Sequence, residues 1–294
     1  MISIDPKEIP VAKMHGLLLG AVAPRPIAFA STIDKAGNVN LSPFSFFNCF
    51  SANPPILVFS PARRGRDNTT KHSYENVLEV PEATISIVNY SMVQQMSLAS
   101  ADYPKGVNEF VKAGFTELPS KLVKPPGVAE SPAVFECKVK QVINLGEQGA
   151  AGNLIICEVI MAHFKEEIFG DDGRIDPNKL DAVARMGGDW YARASGESLF
   201  KVAKPESKLG IGFDQLPGQI RQSSILTAND LGQLAGIEKL PSTDEVKLYA
   251  ERPEIANILA SDDMESRTNA LHLMAHHLLL NGKVEEAWKV LLNQ

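Results

Sequence analysis

Residues 40–72 read NLSPFSFFNCFSANPPILVFSPARRGRDNTTKH. Ser42, Ser45, Asn48 and Ser51 interrupt an aromatic-rich run of Phe44, Phe46, Phe47 and Phe50. Buried hydroxyls need partners, and one partner would be a flat polar ligand lying over the strand. The cationic segment Arg63-Arg64-Gly65-Arg66, then Asp67-Asn68-Thr69-Thr70-Lys71, leads into a helix. Backbone N–H groups at a helix start bind phosphate, and arginine adds paired charged donors. A strand bearing hydroxyls and aromatics, followed by such a loop, fits a ligand with a flat ring system and one phosphate end.

Around this stretch the pattern is that of short strands. Residues 26–33 (PIAFASTI) end at Asp34-Lys35-Ala36-Gly37-Asn38, which is turn chemistry, and a second strand starts at about Val39. Pro54-Pro55 is expected to interrupt pairing. Ile56–Ser60 follows as a third strand and 61–70 as a polar loop. A helix is expected over Lys71–Val80, capped by Asn68, Thr69 or Thr70. Ala83–Tyr90 reads as another strand; Ser91–Ser100 and Asn108–Ala113 read as short helices. Val134–Leu145 and Asn153–Phe164 are strands joined by GEQGAAG. A dinucleotide-binding glycine loop would run from strand into helix; this one runs into LIICEVIMAHF, so it reads as a hairpin. Six or more strands at hairpin spacing favour a barrel.

The composition shifts near Val202. Residues 203–222 read as a linker, and 223–294 as a small helical module. Leu271, Met274, Ala275 and Leu278 recur at helix spacing, Asn281-Gly282 closes that helix, and Val284, Ala287, Trp288, Leu291 and Leu292 form a second stripe. Glu285 and Lys289 form a favourable i,i+4 pair. His272 and His276 have zinc-compatible spacing but no third ligand is marked, so they read as a packed or solvated face and no metal site is expected.

The chain of 294 residues is ordinary for a globular protein, with 44% hydrophobic and 22% charged residues. Its net charge of −6 argues against a nucleic-acid partner. Cys49, Cys137 and Cys157 are expected as reduced core thiols of a cytoplasmic protein. No signal peptide and no membrane span are read.

The order PRPIAFASTIDKAGNVNLSPFSFFNCFSANPPILVFSP, RGRDNTTKHSYENVLEVPEATISIVN, NEFVKAGFT and GNLIICEV resembles the flavin reductase-like proteins over about residues 15–200. The resemblance implies a mainly β fold with α, a split β-barrel binding FMN over residues 1–202. It implies that Ser42, Phe44, Ser45, Phe46 and Asn48 line the ring and ribityl chain. Arg64, Arg66, Asp67, Thr69 and Lys71 would hold the phosphate. Arg25 would either touch the cofactor or fix a β-entry. His72 would either face the substrate side or the surface. Asp189, Tyr191 and Arg193, with Trp190, would either wall the ring face or close the barrel. No protein side chain is expected to be catalytic, because the flavin supplies the redox chemistry and ring proximity governs transfer. NADH or NADPH would be a transient donor. A homodimer with the flavin near the subunit interface is implied, with a monooxygenase or electron-transfer protein as a further partner. Alternatives are a flavoredoxin-type electron carrier and a non-catalytic interaction protein.

Overall fold

The computed structural model describes residues 1–205 and 209–293. The chain divides into two compact units, Met1–Phe200 and Lys201–Gln294. In the first unit, α1 (Val11–Ala21) precedes β1 (Ala28–Ile33), β2 (Val39–Phe44), β3 (Phe47–Ala52) and β4 (Pro55–Phe59). Then come α2 (His72–Glu79), β5 (Glu82–Ile87), α3 (Val93–Leu98), α4 (Glu109–Ala113), β6 (Glu117–Leu118) and β7 (Gly127–Val128). The long strands β8 (Ala133–Asn144) and β9 (Asn153–Phe164), the short α5 (Pro177–Leu180), β10 (Val183–Arg185) and β11 (Tyr191–Arg193) complete it.

Seven antiparallel strands form one sheet in the order β2-β1-β5-β8-β9-β4-β3. The β1–β2 turn closes as its residues dictate: the Asp34 carboxylate accepts from the Asn38 backbone and side-chain nitrogens, each at 2.9 Å, and Gly37 supplies φ +90°. Strand β1 is buried on both faces. Phe29 packs with Leu41, Met92, Met96 and Phe110, whereas Ala28 and Ala30 pack with Phe44, Phe59, Val77, Ile85 and Ile155. Its side chains alternate between two cores, so Ala28, Phe29 and Ala30 are apolar in succession and Ser31 and Thr32 are buried as well.

The sequence 40–52 is not one strand. Ser45-Phe46 is a link that carries the chain from β2, at one edge of the sheet, to β3 at the other. Pro55 does not end pairing either. It opens β4, which pairs with β3 from Ala52 opposite Pro55 onward, so the two prolines sit at a hairpin turn. Cys49 lies on β3 and is exposed, correcting the expectation of a core thiol; Cys137 and Cys157 are buried. Helix α2 starts one residue later than expected, with Lys71 at its N-cap and no side-chain cap. Asn68 and Thr69 are used within the loop, and the Thr70 hydroxyl donates to Glu75 at 2.6 Å. Helix α2 docks through Asn40 Nδ2 to Ser73 Oγ (2.9 Å) and Asn76 Nδ2 to Thr32 Oγ1 (3.2 Å).

The second unit contains α6 (Gly218–Arg221), α7 (Ala228–Ala235), α8 (Thr243–Ala250), α9 (Pro253–Leu259), α10 (Met264–Leu280) and α11 (Val284–Leu291). The expected stripe packs on itself: Trp288, fully buried, lies with Leu234, Ala275, Leu279, Ala287 and Leu291, and its indole N–H reaches the Leu234 carbonyl at 3.0 Å. The expected linker is partly core, since Leu216 and Ile220 are buried in that cluster. Residues 206–208 of it lie outside the described residues. Lys289 faces Glu245 at 3.6 Å, the pairing found in place of the expected Glu285 contact. His272 and His276 take separate partners, Ser223 at 2.7 Å and Asp230 at 2.8 Å. Among the described residues no group of side chains could hold a metal, and no helix is long and apolar enough to cross a membrane.

Candidate flavin site

A cleft of ≈ 430 Å³ opens where the end of β2 meets the arginine loop. Ser42, Pro43 and Phe44 form one wall, Arg64, Gly65, Arg66 and Lys71 another, and Ser100 and Asp102 a third. The loop is rigid through its own residues. Asn68 is left-handed (φ 59°), a conformation asparagine tolerates. Its side-chain and backbone oxygens accept from Arg63 Nε (2.7 Å) and Nη2 (2.8 Å). Thr69 donates to Asp67 from its backbone (3.0 Å) and hydroxyl (2.6 Å). Those bonds pull the Asp67 carboxyl down to about 2.

The glycine-rich β8–β9 turn, read as a hairpin and found as one, also buttresses this loop. Arg63 N donates to Ala151 O (2.9 Å), Ala150 N to Arg63 O (3.1 Å), and Asn68 Nδ2 to Glu147 O (2.9 Å). A side chain at Gly149 would stand 3.2 Å from Gly65 O and 3.3 Å from Arg64 O, so glycine permits the close approach.

Three cations converge on one carboxylate. Asp102 Oδ1 accepts from Lys71 Nζ at 2.8 Å and Arg64 Nε at 3.2 Å, and Oδ2 from Arg66 Nη2 at 3.0 Å. The Lys71 hydrogen bond leads in holding the Asp102 carboxyl below its ordinary value, despite partial burial. Arg64 is also anchored to Thr69 Oγ1 at 3.1 Å and to the Thr70 carbonyl. Arg63 also lines the cleft, though its guanidinium is bonded to Asn68; with it, four cationic side chains stand beside two carboxylates, Asp67 and Asp102, a surplus of two positive charges. Behind the cleft a recess of ≈ 20 Å³ is lined by Asn40, His72, Tyr103 and Glu109 among others. Burial pushes the His72 imidazole down and the Glu109 carboxyl up; Glu109 accepts from Leu41 N at 2.9 Å.

The sequence-selected residues therefore fall into groups. Ser42, Phe44, Arg64, Arg66 and Lys71 line the cleft, and His72 the recess. Asp67 and Thr69 brace the loop. Ser45 and Phe46 lie in the link, and Asn48 on exposed β3 donates no wall to the cleft; its side chain accepts from Cys49 N at 2.8 Å. Arg25 is buried, with Nη1 on the Leu19 and Val22 carbonyls and Nη2 on Met186 O at 2.8 Å. Its backbone pairs with Arg185. Arg193 grips Asp181 at 2.7 and 2.8 Å and stacks 4.0 Å over Tyr90; Tyr191 lies under Arg185 at 4.6 Å. Asp189 and Trp190 are exposed on the β10–β11 turn. Asp102 was not among the sequence candidates. Its only signal is a lone acid in the polar stretch after Ser100, and all three of its cationic partners, Arg64, Arg66 and Lys71, lie more than thirty residues away.

Comparison with known proteins agrees with this architecture. The family model of the flavin reductase like domain matches residues 20–177. An uncharacterized protein of Halalkalibacterium halodurans is 37% identical over 206 residues, covering 69% of this chain and 97% of that protein. Nitrilotriacetate monooxygenase component B from Bacillus cereus superposes with a TM-score of 0.64 at 32% identity, covering 69% of this chain and 98% of its own. A protein of Shewanella frigidimarina with a split barrel domain matches in fold, with a TM-score of 0.58 at 24% identity over 69% of this chain and all (100%) of that one. The first unit is thus a split barrel, and this chain belongs to the flavin reductase like domain family.

Proposed function

We propose that the protein is an FMN-dependent oxidoreductase that takes electrons from NADH or NADPH. One observation supports this reading above the others: Arg64, Arg66 and Lys71 converge on Asp102 in a cleft that Ser42 and Phe44 also line. An FMN phosphate carries about −1.5 to −2 charges at neutral pH. That matches the surplus of two positive charges left when Asp67 and Asp102 are set against Arg63, Arg64, Arg66 and Lys71, so the donor set fits the group. In this reading Arg64, Arg66 and Lys71 would hold the phosphate, and Ser42 would offer a hydroxyl to the ribityl chain. Bound flavin supplies the acceptance and release of hydride. The chain itself holds the ring, and no acid or base of its own is required at the reacting atoms.

The finer assignments belong to the same proposal. Residues 1–202 form the flavin-binding unit, and the helical unit is accessory to it. Asp189, Tyr191, Arg193 and His72 stand on the substrate side. Helix α1 buries none of its residues and β3 is an open edge with Phe50 68% exposed, which supports a homodimer covering that surface. The likeness to component B supports a monooxygenase as the electron acceptor. Two buried free thiols, Cys137 and Cys157, support a cytoplasmic setting.

The test is to extract and chromatograph the flavin after loading the purified protein, then follow NADH and NADPH oxidation with added FMN. FMN with rapid nicotinamide oxidation is the expected result. Retained FMN without that oxidation identifies a flavoredoxin-type carrier served by a protein donor. A protein that binds no flavin is an interaction protein, and the proposal fails.

A further inference from the structure

We infer that Asp102 is a resident counter-ion which the flavin phosphate must displace, and that it thereby sets how tightly this site holds a phosphorylated flavin. The inference rests on the proposed phosphate site. Both carboxylate oxygens of Asp102 are committed: Oδ1 to Lys71 and Arg64, Oδ2 to Arg66. These are the same charged donors that an incoming phosphate needs. An anion of higher charge cannot take them while Asp102 keeps them. It either expels the carboxylate or binds beside it against like-charge repulsion. In both cases Asp102 opposes binding.

The surroundings of Asp102 allow the exchange. Its side chain is 33% exposed, against 13% for Arg64, so the carboxylate can turn to water while the arginine stays anchored. It lies between α3 and α4, where the backbone bonds are local turns: Ala101 N to Leu98 O, Tyr103 N to Ala101 O and Val107 N to Pro104 O. None of the sheet's ladder bonds has to break for Asp102 to leave. The loop it vacates is braced independently, by Asn68, by Asp67 with Thr69, and by the β8–β9 turn. The cations therefore remain in place when their counter-ion goes.

The consequence is a specificity device. Asp102 penalises only ligands that compete for the three cations, so it lowers affinity for FMN and not for the same ring without phosphate. It shifts the flavin from a locked prosthetic group toward one that exchanges with solution.

The experiment is a fluorescence titration of full-length protein with FMN and, separately, riboflavin, in wild type, Asp102→Asn and Asp102→Glu. The asparagine variant is expected to bind FMN about tenfold more tightly, an effect in the range of one charge-assisted hydrogen bond. Riboflavin affinity should not change, and Asp102→Glu should remain close to wild type. If Asp102→Asn leaves FMN affinity unchanged, weakens it, or shifts FMN and riboflavin equally, the inference is overturned and Asp102 merely organises the cations. The underlying reading fails in a different way. Wild type and the asparagine variant would then both bind FMN no better than riboflavin. Melting curves of the three proteins without flavin show that each is folded at the titration temperature.

Discussion

Arg25 and the Arg64–Lys71 loop both attract notice in the sequence as cations beside the β-unit, but the structure treats them oppositely. Arg25 is 5% exposed and spends its terminal nitrogens on the carbonyls of Leu19, Val22 and Met186. Burial, aided by nearby Arg185, pushes its guanidinium below the ordinary value. Arg64, Arg66 and Lys71 instead meet on a single partly exposed carboxylate. A cation that ends on neutral carbonyls ties segments of backbone together and has nothing to exchange. Cations that end on a movable anion can trade it for another. The first arrangement belongs to folding and the second to binding.

Breaking the first arrangement should have the largest effect. Arg25→Met leaves the end of α1 and the Met186 carbonyl without their charged donor. We expect a loss of about 3 kcal/mol, since three part-buried carbonyls lose a charged hydrogen-bond donor, and a fall in Tm on the order of 10 °C. The ratio of FMN to riboflavin affinity should stay as in wild type. A stable variant with that ratio collapsed would move Arg25 into the site. Breaking the second arrangement should do the reverse. Arg64→Ala removes one charge-assisted contact and should weaken FMN binding by roughly 10- to 100-fold, with little change for riboflavin. Equal losses for both ligands would show a collapsed loop rather than a lost phosphate contact.

Glu109 sharpens the contrast through pH. Burial raises its carboxyl above the ordinary value, outweighing the hydrogen bonds from the Leu41 and Glu109 backbone. Its neutral form is therefore the one that favours folding. That contribution is fully present below the unfolded value of about 4.3 and is lost as pH rises through the raised folded value. Glu109→Gln keeps an acceptor for Leu41 N and removes the titration. Its Tm should equal or exceed that of wild type at pH 7, with the gap closing toward pH 4. A variant less stable at pH 7 than wild type would mean that the charge itself is needed there.

The smallest effect is expected from the second unit. Its clusters around Trp288 and Tyr249 consist of residues from 211 onward, whereas those around Phe29 and Phe59 consist of residues before 184. A chain ending at Phe200 should bind FMN within about twofold of the full chain, as expected for an independent core. A soluble, folded chain of that length without FMN affinity would place part of the site in the helical unit.

Much of this was legible because it is local. The Asp34–Asn38 turn and the β8–β9 hairpin announce themselves through residues a few positions apart. The stripes of α10 and α11 are local in the same way. What escaped was non-local or lacked contrast. No local signal separates Phe44 on one sheet edge from Phe47 on the other, because edge position depends on which distant strands pair. Helix α1 buries none of its residues, so no buried stripe marks it. The cleft's cations were found by type and clustering, but Asp102 becomes visible only when the fold brings the 99–107 segment against them.

The account rests on the phosphate being held by Arg64, Arg66 and Lys71, and the most direct test is the ratio of FMN to riboflavin affinity. It is measured by fluorescence titration in wild type and in the Arg64→Ala, Lys71→Ala double variant. The account predicts a wild-type preference for FMN of at least about tenfold, as one charged contact or more would give, and a ratio near one in the double variant. A preference of the same size in both proteins would contradict it and place the phosphate elsewhere.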